Sequence, residues 1–108
     1  MESNDKTYHV YVDPAANDRM AEHMEFLARV SEDAANRLLD ELMKGIRSLA
    51  KMPFRNPVYD RPYLSPGKYR YLIVGRRYRI VYQIDGDTVF VDDIQDCRQD
   101  NDKSILIP

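Results

Sequence analysis

The sequence predicts an α+β fold: an N-terminal strand, an antiparallel helical hairpin, and a three-stranded antiparallel meander that completes one sheet. Two observations predict it. Apolar side chains recur at helical spacing along residues 14–52. Residues 68–94 are dense in β-branched and aromatic residues, with turn signals at Gly75 and at Asp85-Gly86. A chain of 108 residues, 44% of them hydrophobic, can bury a core without disulfides, so residues 1–108 are expected to form a single domain with residues 1–6 as a flexible tail.

The first strand and the first helix are predicted from residues 7–30. Residues 7–12 have the β-branched and aromatic composition of a strand. Asp13 can cap the free backbone N–H groups of a helix, and Pro14 fits a first helical turn. We therefore expect a helix over residues 14–30, with a core-facing stripe that is widened by Phe26 and Val30 and consists of Ala16, Met20, Met24 and Leu27.

The second helix is predicted to begin after Ser31, a good N-cap residue, and to end near Met52 because Pro53 cannot continue it. Its apolar face is expected to contain Ala35, Leu38, Leu42, Ile46 and Leu49. Gly45 lowers the stability of a helix relative to alanine, so it indicates either close packing or a tolerated weakness.

A loop with four prolines, residues 53–67, separates the helices from the meander. Its aromatic residues predict that it lies against the domain, and a stiff loop of this length commonly serves a site or an interface. At the other end of the chain, residues 105–107 are too apolar to remain in solvent, so we expect them to pack or to dock on a partner.

The meander is predicted as strands over residues 68–74, 77–84 and 87–94. The middle strand has two different faces. One face is apolar, with Tyr78, Ile80, Tyr82 and Ile84, and is expected to meet the helices. The other face is partly polar, with Arg79, Val81 and Gln83, and is expected to be open to a partner.

The charge distribution is uneven. The net charge of −2 argues against a protein that coats nucleic acid without specificity. Residues 55–79, however, contain seven basic residues and one acid, Asp60, which gives a local balance of +6. Residues 92–102 carry five aspartates against one arginine. The chain therefore has a basic centre and an acidic flank.

Several classes of protein are not expected. The single cysteine, Cys97, allows no internal disulfide and suggests a reducing, cytoplasmic location. No signal peptide is visible, and no apolar run approaches the roughly 20 residues of a membrane helix. The acidic run at residues 100–102 lacks the glycine and distal glutamate of a calcium loop, so we expect no metal and no other cofactor. His9 and His23 are interpreted as structural.

The order of these elements, together with Tyr78-Arg79-Ile80-Val81-Tyr82, resembles the RelE/ParE superfamily of bacterial toxins over residues 8–98. The resemblance implies a toxin of a type II toxin–antitoxin system, bound by a cognate antitoxin protein in a hetero-oligomer. In the RelE branch such toxins cleave mRNA on the ribosome without a metal, and in the ParE branch they inhibit DNA gyrase. The first expectation is an mRNA endoribonuclease, and the alternatives are a gyrase inhibitor that acts by protein binding or a catalytically inactive relative.

Metal-free RNA cleavage needs cations around the phosphate and groups that transfer protons. The resemblance implies a catalytic role for three arginines: Arg70, Arg79 and Arg98. Binding of the RNA substrate would then involve Lys68, Arg76, Arg77 and Arg61. Each assignment has a structural alternative, such as a surface arginine paired with a carboxylate for Arg70 or a solvated turn residue for Arg76.

The segment after the last strand departs from the RelE pattern. RelE-type nucleases commonly carry His or Arg followed by Tyr there, but residues 95–102 contain no histidine and no tyrosine. Asp96 could act as a base, although a carboxylate repels a phosphate. These departures fit a gyrase inhibitor or an inactive relative.

Overall fold

The structure is a computed structural model that describes residues 6–99 and 105–108, and it confirms the α+β fold. Its elements are β1 (His9–Val12), α1 (Pro14–Ala28), α2 (Glu32–Ser48), β2 (Arg70–Val74), β3 (Tyr78–Asp85) and β4 (Thr88–Asp96). One sheet has the order β1-β4-β3-β2, in which β1 runs parallel to β4 and the other pairs are antiparallel. Among the described residues, no helix has the length and apolar character needed to cross a membrane.

Both helices begin where the caps predict. The Asp13 carboxylate accepts a hydrogen bond from the Ala15 N–H, and the Ser31 hydroxyl accepts one from the Ala34 N–H. The helices are shorter than expected, because α1 turns toward α2 after Ala28 and α2 ends at Ser48. The prediction that Phe26 and Val30 widen the core stripe was wrong, since they are 58% and 80% exposed. Val30 lies in the connecting turn, and Phe26 faces away from the side of α1 that is buried at Ala16 and Met20.

The helices cover one face of the sheet, which we call the helix face. As predicted, the apolar side of β3 contributes Tyr78, Ile80 and Tyr82 to this core. Gly45 marks close packing, because a Cβ there would lie 2.9 Å from Val74 Cγ2 and 3.0 Å from Ile80 Cδ1. A register shift between Val81 and Tyr82 of β3 gives β4 one extra residue. Consequently, Val91 and Ile94 both reach this core although they are three residues apart.

Part of the opposite face of the sheet, which we call the second face, is covered. The prediction that it is open to a partner was therefore wrong around the fully buried Val81, whereas the half-buried Arg79 and the exposed Ile73 remain accessible on the same face. The proline-rich loop pairs beside β2, with hydrogen bonds from Tyr59 N–H to Tyr69 O and from Tyr71 N–H to Pro57 O. The chain end is held by the Tyr69 hydroxyl, which donates to Ile107 O at 2.6 Å. A second apolar cluster results, formed by Tyr59, Leu64, Tyr69, Val81 and Leu106. The predictions that the loop lies on the domain and that the chain end packs are confirmed.

Candidate functional site

The predicted site cations do not form one patch. Arg70 is paired with Tyr82 in the sheet and so lies on the helix-face side, whereas Arg79 is paired with Ile73 and Gln95 on the second-face side. The structure separates the seven cations into three places. Arg70 stands alone at the start of β2, the second-face group consists of Arg61, Lys68 and Arg79, and the turn group consists of Arg76, Arg77 and Arg98.

Arg70 holds the entry of the proline-rich loop. Its Nη1 donates to Phe54 O at 3.1 Å and to Asn56 O at 2.6 Å, and its guanidinium lies 5.4 Å from the centre of the Phe54 ring. The Tyr82 hydroxyl donates to Pro53 O at 2.6 Å in the same turn. Carbonyl oxygens of the chain therefore occupy Nη1 of Arg70 but not its Nε and Nη2 donors, and its catalytic role stays a prediction.

Arg79 belongs to a buried polar network. Its Nη1 donates to Gln95 Oε1 at 2.8 Å, and the Tyr59 hydroxyl donates to the same oxygen at 3.0 Å. The Gln95 amide in turn donates to Asp93 Oδ2 at 3.0 Å. Asp93 is fully buried and forms an ion pair with Arg19, with 3.5 Å between Nε and Oδ1. Because a buried carboxylate is costly without such partners, the network fixes the position of Arg79.

Two arginines stack on tyrosines at this network. The guanidinium of Arg79 lies 5.1 Å from the Tyr59 ring centre and 5.7 Å from that of Tyr71, and Arg61 lies 4.3 Å from Tyr59. Stacking orients a guanidinium while leaving charge available at its edge. Lys68 instead contacts the chain end, where its Nζ donates to Ile107 O and Pro108 O at 3.1 Å each. The contacts of Tyr59 and Gln95 with Arg79 could not be found from sequence reasoning, because they join the loop and a neighbouring strand to β3.

Two members of the turn group, Arg77 and Arg98, lie close to Asp96. Arg98 Nη2 lies 3.2 Å from Asp96 Oδ2, and the Arg98 backbone N–H donates to Oδ1 at 2.9 Å. Burial acts to raise the pKa of Asp96, but the hydrogen bonds and charge of Arg98, with the charge of Arg77, outweigh it and lower that pKa. An aspartate held ionised in this way is a weak proton acceptor. Arg76 is exposed at the turn with a positive φ of 67°.

Of the two histidines, His9 lies away from these groups, whereas the ring centre of His23 lies 5.3 Å from that of Tyr78, whose hydroxyl accepts a hydrogen bond from Arg77. His9 is on β1, at the opposite edge of the sheet from β2. His23 Nε2 lies 2.8 Å from Ile94 O, so this nitrogen carries the proton and donates it to the carbonyl, which only accepts. Within the described ranges, no three His, Cys, Asp or Glu side chains come together as they would around a metal ion. The acidic run at residues 100–102 lies outside those ranges.

A cavity of about 580 Å³ opens on the second face near β1, and Tyr11, Asp13, Phe90 and Asp92 contribute to its lining. Burial raises the pKa of Asp92, while a hydrogen bond donated by Gln83 at 2.6 Å acts to lower it. Carboxylates in the wall repel a phosphate, so this cavity does not suit an RNA backbone.

With this fold, a match to a family model makes the chain a type II toxin of the RelE/ParE superfamily. Residues 10–101 match the family model described as ParE toxin of type II toxin-antitoxin system, parDE. The chain belongs to this family. A solved chain described as "Chromosomal ParDE TA system from P. aeruginosa" has a similar fold, with a TM-score of 0.67 at 13% sequence identity, and the match covers 85% of this chain and 98% of that one. No curated protein matches the sequence.

Proposed function

We propose that this toxin acts by binding a protein target, DNA gyrase, and not by cutting mRNA. One observation carries the proposal. The three arginines for which the resemblance implies a catalytic role are all bonded to internal partners: Arg70 to main-chain carbonyls, Arg79 to Gln95, and Arg98 to Asp96. An arginine with internal hydrogen bonds has a fixed position, which suits a protein-binding surface. It has fewer donors left for a phosphate in the transition state.

The proton-transfer groups support the same proposal. Metal-free RNA cleavage needs a base for the 2′-hydroxyl and an acid for the leaving oxygen, both near the cations. Asp96 is the carboxylate that forms an ion pair with Arg98 of the turn group, and its pKa is lowered. Binding to gyrase needs no proton transfer. It also agrees with the cytoplasmic location that we propose from the single free cysteine.

We place the target-binding surface at the second-face arginines. Arg61 is exposed, Arg79 is oriented by two tyrosines, and the exposed Ile73 lies beside Arg79 on the neighbouring strand. An apolar side chain beside oriented guanidinium groups is typical of protein interfaces. The Arg61 guanidinium lies over the Tyr59 ring and donates from Nη1 to the adjacent Asp60 carbonyl, which does not engage its Nη2 and Nε donors.

The test combines two assays on one purified toxin. Supercoiling of relaxed plasmid by gyrase should fall with toxin concentration, while mRNA in a ribosome-containing translation reaction should keep its original ends. Arg61→Glu should raise the toxin concentration needed for half inhibition by about tenfold, because one charge contact is reversed. Lys44→Glu, an exposed charge reversal on α2, is the matched control and should leave inhibition unchanged.

An mRNA endoribonuclease is the second candidate, and the turn group favours it. Arg76 and Arg98 are exposed beside Arg77, so three cations could contact an RNA backbone there. New mRNA ends together with unaffected supercoiling would overturn the gyrase proposal. Loss of those ends in Arg76→Ala would then assign the cleavage to the turn group.

A further inference from the structure

We propose that a second surface, at the entry of the proline-rich loop, docks an acidic segment of the antitoxin that carries an apolar anchor residue. We call it the loop-entry platform. It consists of two exposed apolar residues and four surrounding cations: Met52, Phe54, Lys6, Lys51, Arg55 and Arg70. This inference goes beyond the proposed function, because it holds whichever target the toxin acts on.

The apolar part of the platform is exposed to solvent. Met52 is 50% exposed and Phe54 is 56% exposed, although both neighbour the buried Pro53. Met52 has a φ of 50°, a left-handed conformation that is rare for a residue with a long side chain. A strained residue persists only where its surroundings enforce it, and such strain clusters at functional sites. Large apolar side chains presented together are typical anchors of protein interfaces.

The backbone beneath these anchors is rigid. The Tyr82 hydroxyl donates to Pro53 O, and the Asn56 amide donates to the Tyr82 hydroxyl at 3.0 Å. Arg70 donates to the carbonyls on either side of Arg55. On the other flank, the Tyr8 N–H donates to Ala50 O at 2.8 Å. A surface fixed in advance loses little conformational entropy on binding, so this turn is built to present Met52 and Phe54 to a partner.

The positive charge around Met52 and Phe54 determines which kind of segment can bind there. Cations and rings alternate, with Lys6 4.7 Å from the Tyr8 ring, Tyr8 6.4 Å from Phe54, and Arg70 5.4 Å from Phe54. Burial raises the pKa of the Tyr82 hydroxyl and the charges of Arg70 and Arg55 act to lower it, so both charges lie near that hydroxyl. Within residues 6–99 and 105–108, none of the four cations has a carboxylate within 4.0 Å. Positive charge around apolar anchors complements a segment that carries carboxylates beside an apolar side chain.

The antitoxin is the source to which this proposal commits. Membership of a type II toxin–antitoxin family supplies a dedicated protein partner. The second-face arginines, which we assign to the target, are separated from the platform by the sheet, since Arg70 and Arg79 lie on opposite sides of it. With two separate surfaces, the toxin can be bound by the antitoxin at the loop-entry platform, and its target-binding surface can be covered independently of that contact.

The experiment measures affinity for the purified antitoxin that is encoded with this chain, by isothermal titration at about 50 mM and about 500 mM NaCl. Phe54→Ala should weaken binding by about 30-fold at both salt concentrations, because it removes an apolar anchor. Arg55→Glu should weaken binding by about tenfold at the lower concentration and much less at the higher one. Arg55 is exposed, so this variant is expected to fold, and its melting temperature checks that.

Matched controls are available on the helices. Phe26→Ala removes a phenylalanine that is 58% exposed, and Lys44→Glu reverses an exposed charge, so both should bind the antitoxin as the unmodified toxin does. Unchanged affinity in both platform variants would overturn the proposal. Weakening by Phe54→Ala alone would overturn the acidic character of the segment. Platform variants that keep antitoxin affinity but lose gyrase inhibition would reassign the platform to the target.

Discussion

Two aspartates on β4, Asp92 and Asp96, have pKa values displaced in opposite directions from an ordinary value of 3.8. Asp96 is buried, yet Arg98 lowers its pKa. Its ionised form therefore stabilises the fold fully above pH 3.8, and this contribution is lost as the pH falls through the lowered value. Asp96→Asn should reduce the free energy of unfolding at pH 7, and the deficit should shrink below pH 3.8. Urea unfolding across a pH series measures it, and a deficit that does not depend on pH would contradict the ion-pair explanation.

Asp92 should behave in the opposite way. Burial raises its pKa, so the ionised carboxylate lowers the stability of the folded state at neutral pH, and this cost disappears once the pH falls below 3.8 and both states bind the proton. Asp92→Asn removes the charge while its side-chain oxygen still accepts from Gln83. The variant should therefore unfold at higher urea than the unmodified protein at pH 7, with no advantage at strongly acidic pH. A loss of stability at pH 7 would show that another partner holds this carboxylate.

At the scale of elements, the contact between α2 and the sheet depends on Gly45. Helix propensity alone predicts that alanine would stabilise α2 by about 1 kcal/mol. The added Cβ, however, would lie 2.9 Å from Val74 Cγ2, and the β-branched Val74 has little freedom to rotate away. Because overpacking costs about 1–3 kcal/mol, we expect Gly45→Ala to lower the free energy of unfolding by about 1 kcal/mol. In a double-mutant cycle, Val74→Ala should be less damaging in the Gly45→Ala background, and strict additivity would contradict the clash.

The helices and strands were predictable from the sequence because their signals are local. Asp13 and Ser31 mark the helix starts by their own hydrogen bonds, and alternation along β3 assigns Tyr78, Ile80 and Tyr82 to one face. The cover of the second face was not predictable, because it depends on pairing between strands and loops distant in sequence. The bond from the Tyr71 N–H to Pro57 O is one such contact. The separation of the arginines was unpredictable for the same reason, because they are close in sequence but lie on both sides of the sheet.

In the molecule as a whole, each face of the sheet packs in its own apolar cluster, and the fold should depend on both clusters. Leu42 is fully buried in the cluster on the helix face, and Leu106 is 6% exposed in the cluster on the second face. Leu42→Ala should lower the free energy of unfolding by about 3 kcal/mol and Leu106→Ala by about 2 kcal/mol. Because no residue is shared between the clusters, the double variant should show the sum of the two losses within about 0.5 kcal/mol.

Both losses should still appear in a single cooperative transition, since β3 contributes Ile80 to one cluster and the adjacent Val81 to the other. Urea unfolding followed by far-ultraviolet circular dichroism and by tyrosine fluorescence should therefore give the same midpoint for each variant. A stable Leu106→Ala variant would mean that the chain end contributes nothing to the cover of the second face. In that case the surface beside Arg79 would be larger than the structure indicates, and a partner could contact Tyr59 and Val81 directly.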